Sequence, residues 1–143
     1  MTTATGKLSD LKIHVKLKLA ALWTSVMFCY VYGDYFGLYV PNKLQRMLEG
    51  IMGPLGPVTQ GVLLGTSILM AIPSLMVFLS LALNPRPNRW INIVFGLAYT
   101  VIIVITLRGS WAFYIFLGVI EAVLTSLVVW YAWRWPKESA TSE

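Results

Sequence analysis

The stretch "VTQGVLLGTSILMAIPSLMVFLSLAL", Val58 to Leu83, carries no charged side chain. A hydrocarbon core about 30 Å thick is crossed by roughly 20 residues of α-helix, so this run is long enough to span a bilayer. Three more runs read the same way, at 19–40, 90–107 and 111–133. Backbone groups inside lipid must be paired within the segment, which makes each run a helix. Strand alternation is absent from them, and four strands cannot close a barrel. The expected fold is all-α: an integral membrane four-helix bundle running up-down-up-down, as one transmembrane domain over 1–143 with tails at 1–18 and 134–143.

Composition agrees. Of 143 residues, 57% are hydrophobic and 12% charged, against about 25% charged in a soluble domain; lipid-facing surface needs no charge. The net charge of +5 is scattered between the apolar runs and forms no separate basic domain. That excludes nucleic acid and points to anionic headgroups at the cytoplasmic face of the bilayer. The lone cysteine, Cys29, makes no intrachain disulfide. With one histidine, His14, no cluster has metal-ligand spacing. Phosphate loops and nucleophile elbows are missing too, so neither a cofactor nor a metal is expected.

The first run follows a basic segment (Lys7, Lys12, Lys16, Lys18) but has no small-x-small cleavage site, and reads as an uncleaved span. Eight Lys and Arg fall in 1–18, in "NPRPNR" (84–89) and in the tail, against Lys43, Arg46 and Arg108 on the other side. Both termini are therefore expected in the cytoplasm, in a multi-pass protein of the cell (inner) membrane. Trp90, Trp111, Trp130, Trp133 and Trp135 lie near span ends, as interfacial anchors do. "LKIHVKLKL" (11–19) alternates apolar and basic residues, and is expected to lie extended or helical on the inner headgroups.

Between the first two spans, Asn42 is placed to cap a short helix, with Gln45 as its reciprocal partner. Leu44, Met47, Leu48 and Ile51 share one face and Gly50 ends the helix, which gives an amphipathic interfacial helix over the mouth of the bundle.

Two acids lie within spans. Asp34, in "YVYGDYFGLYVP", is roughly 9 Å below the outer end of its span, and Glu121 roughly 15 Å. An acid in a span is expensive, so such residues face the protein interior. Adjacent first and fourth spans would let the two meet or share a ligand. Around them, Ser110, Tyr114, Gly118, Glu121 and Thr125 form a stripe on the fourth span, and Met27, Tyr30, Asp34 and Gly37 one on the first. Asn92, Gly96, Tyr99 and Thr106 form a third stripe on the third span. Asp34, Glu121, Tyr30, Tyr114, Tyr99 and Thr125 are the candidate ligand-binding or proton-coupling residues. Gly33 with Gly37, and Gly61 with Gly65, are GxxxG pairs for packing within or between chains, and Gly118 is a third packing position. Pro73 frees the Leu69 carbonyl and kinks the second span.

In length, span count, tight 2–3 and 3–4 loops and the acid near the outer end of span one, the chain resembles small prokaryotic four-span proteins of unknown function often described as DoxX-like. "DYFGLYVP", with Asp34 followed by Pro41, and the mid-span Pro73 are also similar to the sterol-isomerase and sigma-2-receptor type of fold. This second resemblance implies binding of sterols or cationic amphiphiles in an acidic pocket, although the 3–4 loop here is far shorter. The leading expectation is binding of a small lipophilic or cationic molecule in a polar intramembrane pocket. The alternatives are a homodimeric proton-coupled transporter and an accessory subunit whose acids reach a partner. Enzymatic activity of the isomerase kind ranks last.

Overall fold

A computed structural model describes residues 11–136. Lys7 and Lys137, counted above for orientation, lie outside the described residues, as do 1–10 and 138–143. Five α-helices follow one another: α1 (Val15–Gly37), α2 (Lys43–Leu48), α3 (Gln60–Ala82), α4 (Pro85–Thr106) and α5 (Ala112–Trp133). Four of them are long and apolar enough to cross a membrane. Large apolar side chains face outward along all four, among them Phe28, Phe78, Val101 and Phe116. The chain is a multi-pass integral membrane protein, with lipid as the solvent for that surface.

The helices alternate in direction. The end where α1 starts and α5 finishes is called proximal below; the end holding the 38–59 connection is distal. α1 packs between α3 and α5, and α5 packs on α4, while the seam between α3 and α4 is the slightest of the four. The distal turn at 107–111 and the proximal turn at Leu83–Asn84 are both short.

Two helix starts differ from the sequence expectation. α1 begins at Val15, inside the alternating stretch, because Val15 and Leu19 are buried in the bundle. Its lysines do not simply reach for lipid. Lys16 Nζ donates to the Leu83 carbonyl at 2.7 Å and to the Leu81 carbonyl at 3.2 Å, placing a cation on the orphaned carbonyls that end α3. Lys18 stands over the Tyr131 ring at 5.1 Å. Likewise, "NPRPNR" is no loop: α4 starts at Pro85, since prolines in a first turn remove only N–H groups that have no partner there anyway.

The proximal half holds a buried polar network. Trp23 Nε1 donates to Asn92 Oδ1 at 2.8 Å, and the Ser80 hydroxyl donates to the same oxygen at 3.3 Å. Asn92 Nδ2 donates to Asn88 Oδ1 at 2.7 Å, and Asn88 Nδ2 to the Ser80 carbonyl, also at 2.7 Å. All four side chains are fully buried. The network ties α1, α3 and α4 together where apolar packing alone would allow them to slide in lipid.

Mid-span, Pro73 leaves the Leu69 carbonyl without its helical donor, as the sequence implies. The Tyr99 hydroxyl of α4 donates to that carbonyl. The Tyr99 ring in turn meets Trp23 edge-on, with centroids 5.9 Å apart and planes at 86°.

The packing glycines are Gly96 and Gly118. A Cβ on Gly96 would stand 2.7 Å from Val129 Cγ2 and 3.3 Å from the Thr125 carbonyl oxygen; one on Gly118 would collide with Leu107. Gly33 is buried, and a Cβ there would meet Leu117 at an ordinary 3.7 Å. Gly37 faces the Lys43 ammonium. Gly61 and Gly65 are exposed on α3, with no other helix among the described residues against them.

α2 lies across the distal end with no buried residue. Asn42 is in the left-handed region at φ 65° and makes no side-chain cap bond, so the expected capping box is absent; Gln45 reaches Glu49 instead, at 3.5 Å. Gly50 does end the helix, at φ 72°, a conformation glycine adopts at no steric cost.

Candidate functional site

Between the distal ends of α1 and α5 and the connection that crosses them lies a cavity of about 930 Å³. Asp34 of α1 and Tyr114 of α5 line it from the bundle. Lys43 and Arg46 of α2 line it from the connection, and the apolar part of the wall includes Leu38 and Met47. The geometry follows from chain direction. α1 delivers Asp34 one turn before its end, α5 delivers Tyr114 in its first turn, and Pro41 and the 50–56 turn fold the connection back over both.

Asp34 is exposed toward this space, and neither a hydrogen bond nor an ion pair within 4.0 Å engages its carboxylate among the described residues. The Lys43 ammonium stands against Gly37, about one helical turn distal of Asp34. Glu121 lies deeper on α5 and is 7% exposed. Its carboxyl has no hydrogen-bond partner among the described residues, yet its oxygens keep some accessible surface, for the one sealed and unpartnered polar side-chain atom there is Arg89 Nε. Since α1 and α5 are neighbours, Glu121 and Asp34 lie within electrostatic reach of each other. The half-buried Tyr30 phenol is within reach of Glu121, Tyr99 and Tyr114.

The fold places Tyr30, Asp34, Tyr114 and Glu121 along the seam of α1 and α5, with only Asp34 and Tyr114 on the cavity wall, while Tyr99 gives its hydroxyl to the Leu69 carbonyl mid-span. It does not bring Thr125 into that group as a free hydroxyl. Thr125 donates to the Glu121 carbonyl at 2.9 Å and accepts from the Thr100 hydroxyl at 2.7 Å, so it joins α4 to α5. Tyr32, Tyr35 and Tyr39 point outward, with the Tyr35 and Tyr39 hydroxyls 3.1 Å apart, and no tyrosine hydroxyl bonds Asp34. Thr106 is exposed and its hydroxyl bonds the Ile103 carbonyl. Among the described residues no group of three His, Cys, Asp or Glu side chains converges as metal ligands.

Lys43 and Arg46 entered the sequence reading only as topology charges. Their place on the cavity wall depends on how the connection folds, which no periodicity encodes. Asn88, Ser80 and Trp23 were also missed. An amide pair at i and i+4 is the available signal, and it is hidden because Asn88 precedes the apolar run at 90–107.

The model of a family of unknown function, DUF6326, matches residues 7–142. The chain belongs to that family. No curated protein and no solved structure matches it. Neither the DoxX-like resemblance nor the sterol-isomerase one gains support from these comparisons, and no activity passes to this DUF6326 member from either.

Proposed function

We propose that this membrane protein binds a small lipophilic molecule bearing a cationic group in the distal cavity, anchored by Asp34 with Glu121 behind it. The observation that carries the reading is an unpartnered carboxylate on the wall of a cavity of about 930 Å³, a size in the range of ligand sites. An acid in the outer part of a span needs a counter-charge or donors; among the described residues neither lies within bonding distance, and a ligand cation would supply the charge. Apolar walls suit a lipophilic body, and the Tyr114 ring offers a π face to a cation. Lys43 and Arg46 would also accommodate an anionic substituent at the cavity's other wall.

The fully buried network of Trp23, Asn92, Asn88 and Ser80 fills the proximal half. This supports holding a ligand over passing it through a single chain. For orientation, the proximal end carries Lys12, Lys16, Lys18, Arg86, Arg89 and Arg134, and the distal end Lys43, Arg46 and Arg108. That asymmetry supports cytoplasmic termini in a cell (inner) membrane.

The test is native mass spectrometry of protein released from nanodiscs made from the expressing membrane. A bound non-lipid mass in the wild type that is absent from Asp34→Asn is the expected result. A mass equally retained by Asp34→Asn would place the ligand elsewhere.

A further inference from the structure

On the outer surface of α4 and α5, a second feature combines an apolar groove with a cation at its proximal end. The groove, of about 610 Å³, runs along α5 from Val119 to Trp130, with Val104 of α4 and Leu107 of the distal turn as its other wall. From Val119 to Trp130 is roughly 16 Å of helix, close to one leaflet of a hydrocarbon core about 30 Å thick. The guanidinium of Arg134 stands 4.1 Å from the centroid of the Trp130 ring, so the proximal end of the groove is marked by a cation at the interface. One turn away, the Arg89 guanidinium stands 5.7 Å from the Trp133 ring. We infer that this groove is a binding site for one anionic phospholipid, with an acyl chain along Val119–Trp130 and its phosphate on Arg134.

Groove length, position and charge favour this occupant. The groove lies on the lipid-facing side, and its depth matches one leaflet. An arginine fork is suited to a phosphate. The site shares no residue with the distal cavity, so the two proposals stand or fall separately.

The experiment titrates delipidated protein in detergent with phosphatidylglycerol or phosphatidylcholine of identical acyl chains and counts retained lipids by native mass spectrometry. One phosphatidylglycerol should be retained with about tenfold preference, the scale of one charge-assisted hydrogen bond. Arg134→Gln should reduce that preference to near unity. Ser126→Phe, which fills the groove from an exposed position, should weaken both lipids alike, and Arg108→Gln at the distal end should change neither. Equal retention of the two lipids by the wild type, or a preference surviving Arg134→Gln, would overturn the assignment. So would a dimer abolished by Ser126→Phe, which would give the groove to a second copy.

Discussion

At Pro73 and Tyr99, one residue creates a vacancy in the backbone ladder and a residue of another helix fills it. Proline removes the donor that would serve the Leu69 carbonyl, and in lipid no water is at hand to replace it. Tyr99→Phe should therefore lower stability by about 1 kcal/mol, the upper part of the range for hydrogen bonds between membrane helices. In a Pro73→Ala background the helix regains its own donor, and the same substitution should cost less than half as much. Equal costs in both backgrounds, measured by SDS unfolding, would mean that the hydroxyl is not serving that carbonyl. Asn92 is the second sensitive residue. Asn92→Leu leaves the Trp23 indole N–H without an acceptor and the Asn88 Oδ1 without a donor, and about 2 kcal/mol should be lost in the same assay. The sequence named Pro73 and the freed carbonyl, because both are local. Tyr99 as partner was not legible, since its donor arrives across 30 residues of chain.

Among the elements, the α4·α5 interface is the most extensive in the bundle, and glycines lie in it. Gly96→Ala would push a methyl to 3.3 Å from the Thr125 carbonyl oxygen, which is helix backbone and cannot turn aside, so a loss of about 1–3 kcal/mol is expected. Gly65→Ala meets open space and should be neutral or stabilising by up to about 1 kcal/mol from helix propensity. The two variants should separate cleanly in SDS unfolding; a damaging Gly65→Ala would mean that α3 packs against something beyond this chain. The cation at the end of α3 is a further element-scale feature: Lys16→Gln should cost about 0.5–1 kcal/mol by uncapping the Leu81 and Leu83 carbonyls. Both GxxxG pairs looked alike in sequence, and spacing alone did not separate the buried pair from the exposed one. What separates them is which face of each helix the bundle turns inward.

For the whole molecule, four apolar runs sufficed to derive the helical bundle, because length and charge depletion are read without any long-range information. The helix starts shifted toward the proximal end for a physical reason: interfacial lysines and first-turn prolines, which look like loop signals, are compatible with helix there. The candidate site was legible in part. Asp34 and Glu121 stood out by the cost of an acid in a span, and the adjacency of α1 and α5 brings them within reach of each other. A polar pocket toward the outer side was an expectation of the sequence, but its cationic wall was not legible, because Lys43 and Arg46 reach the distal cavity only through the fold of an irregular connection. The central claim is that Asp34 is the anchor for a ligand cation. Its most direct measurement is equilibrium binding of tetraphenylphosphonium, a lipophilic cation, to the purified protein, with uncharged triphenylphosphine oxide as control. The account predicts saturable binding of one cation per chain, little binding of the neutral compound, and a loss of at least tenfold in affinity in Asp34→Asn. Undiminished binding in Asp34→Asn, or equal binding of the charged and neutral compounds, would contradict it.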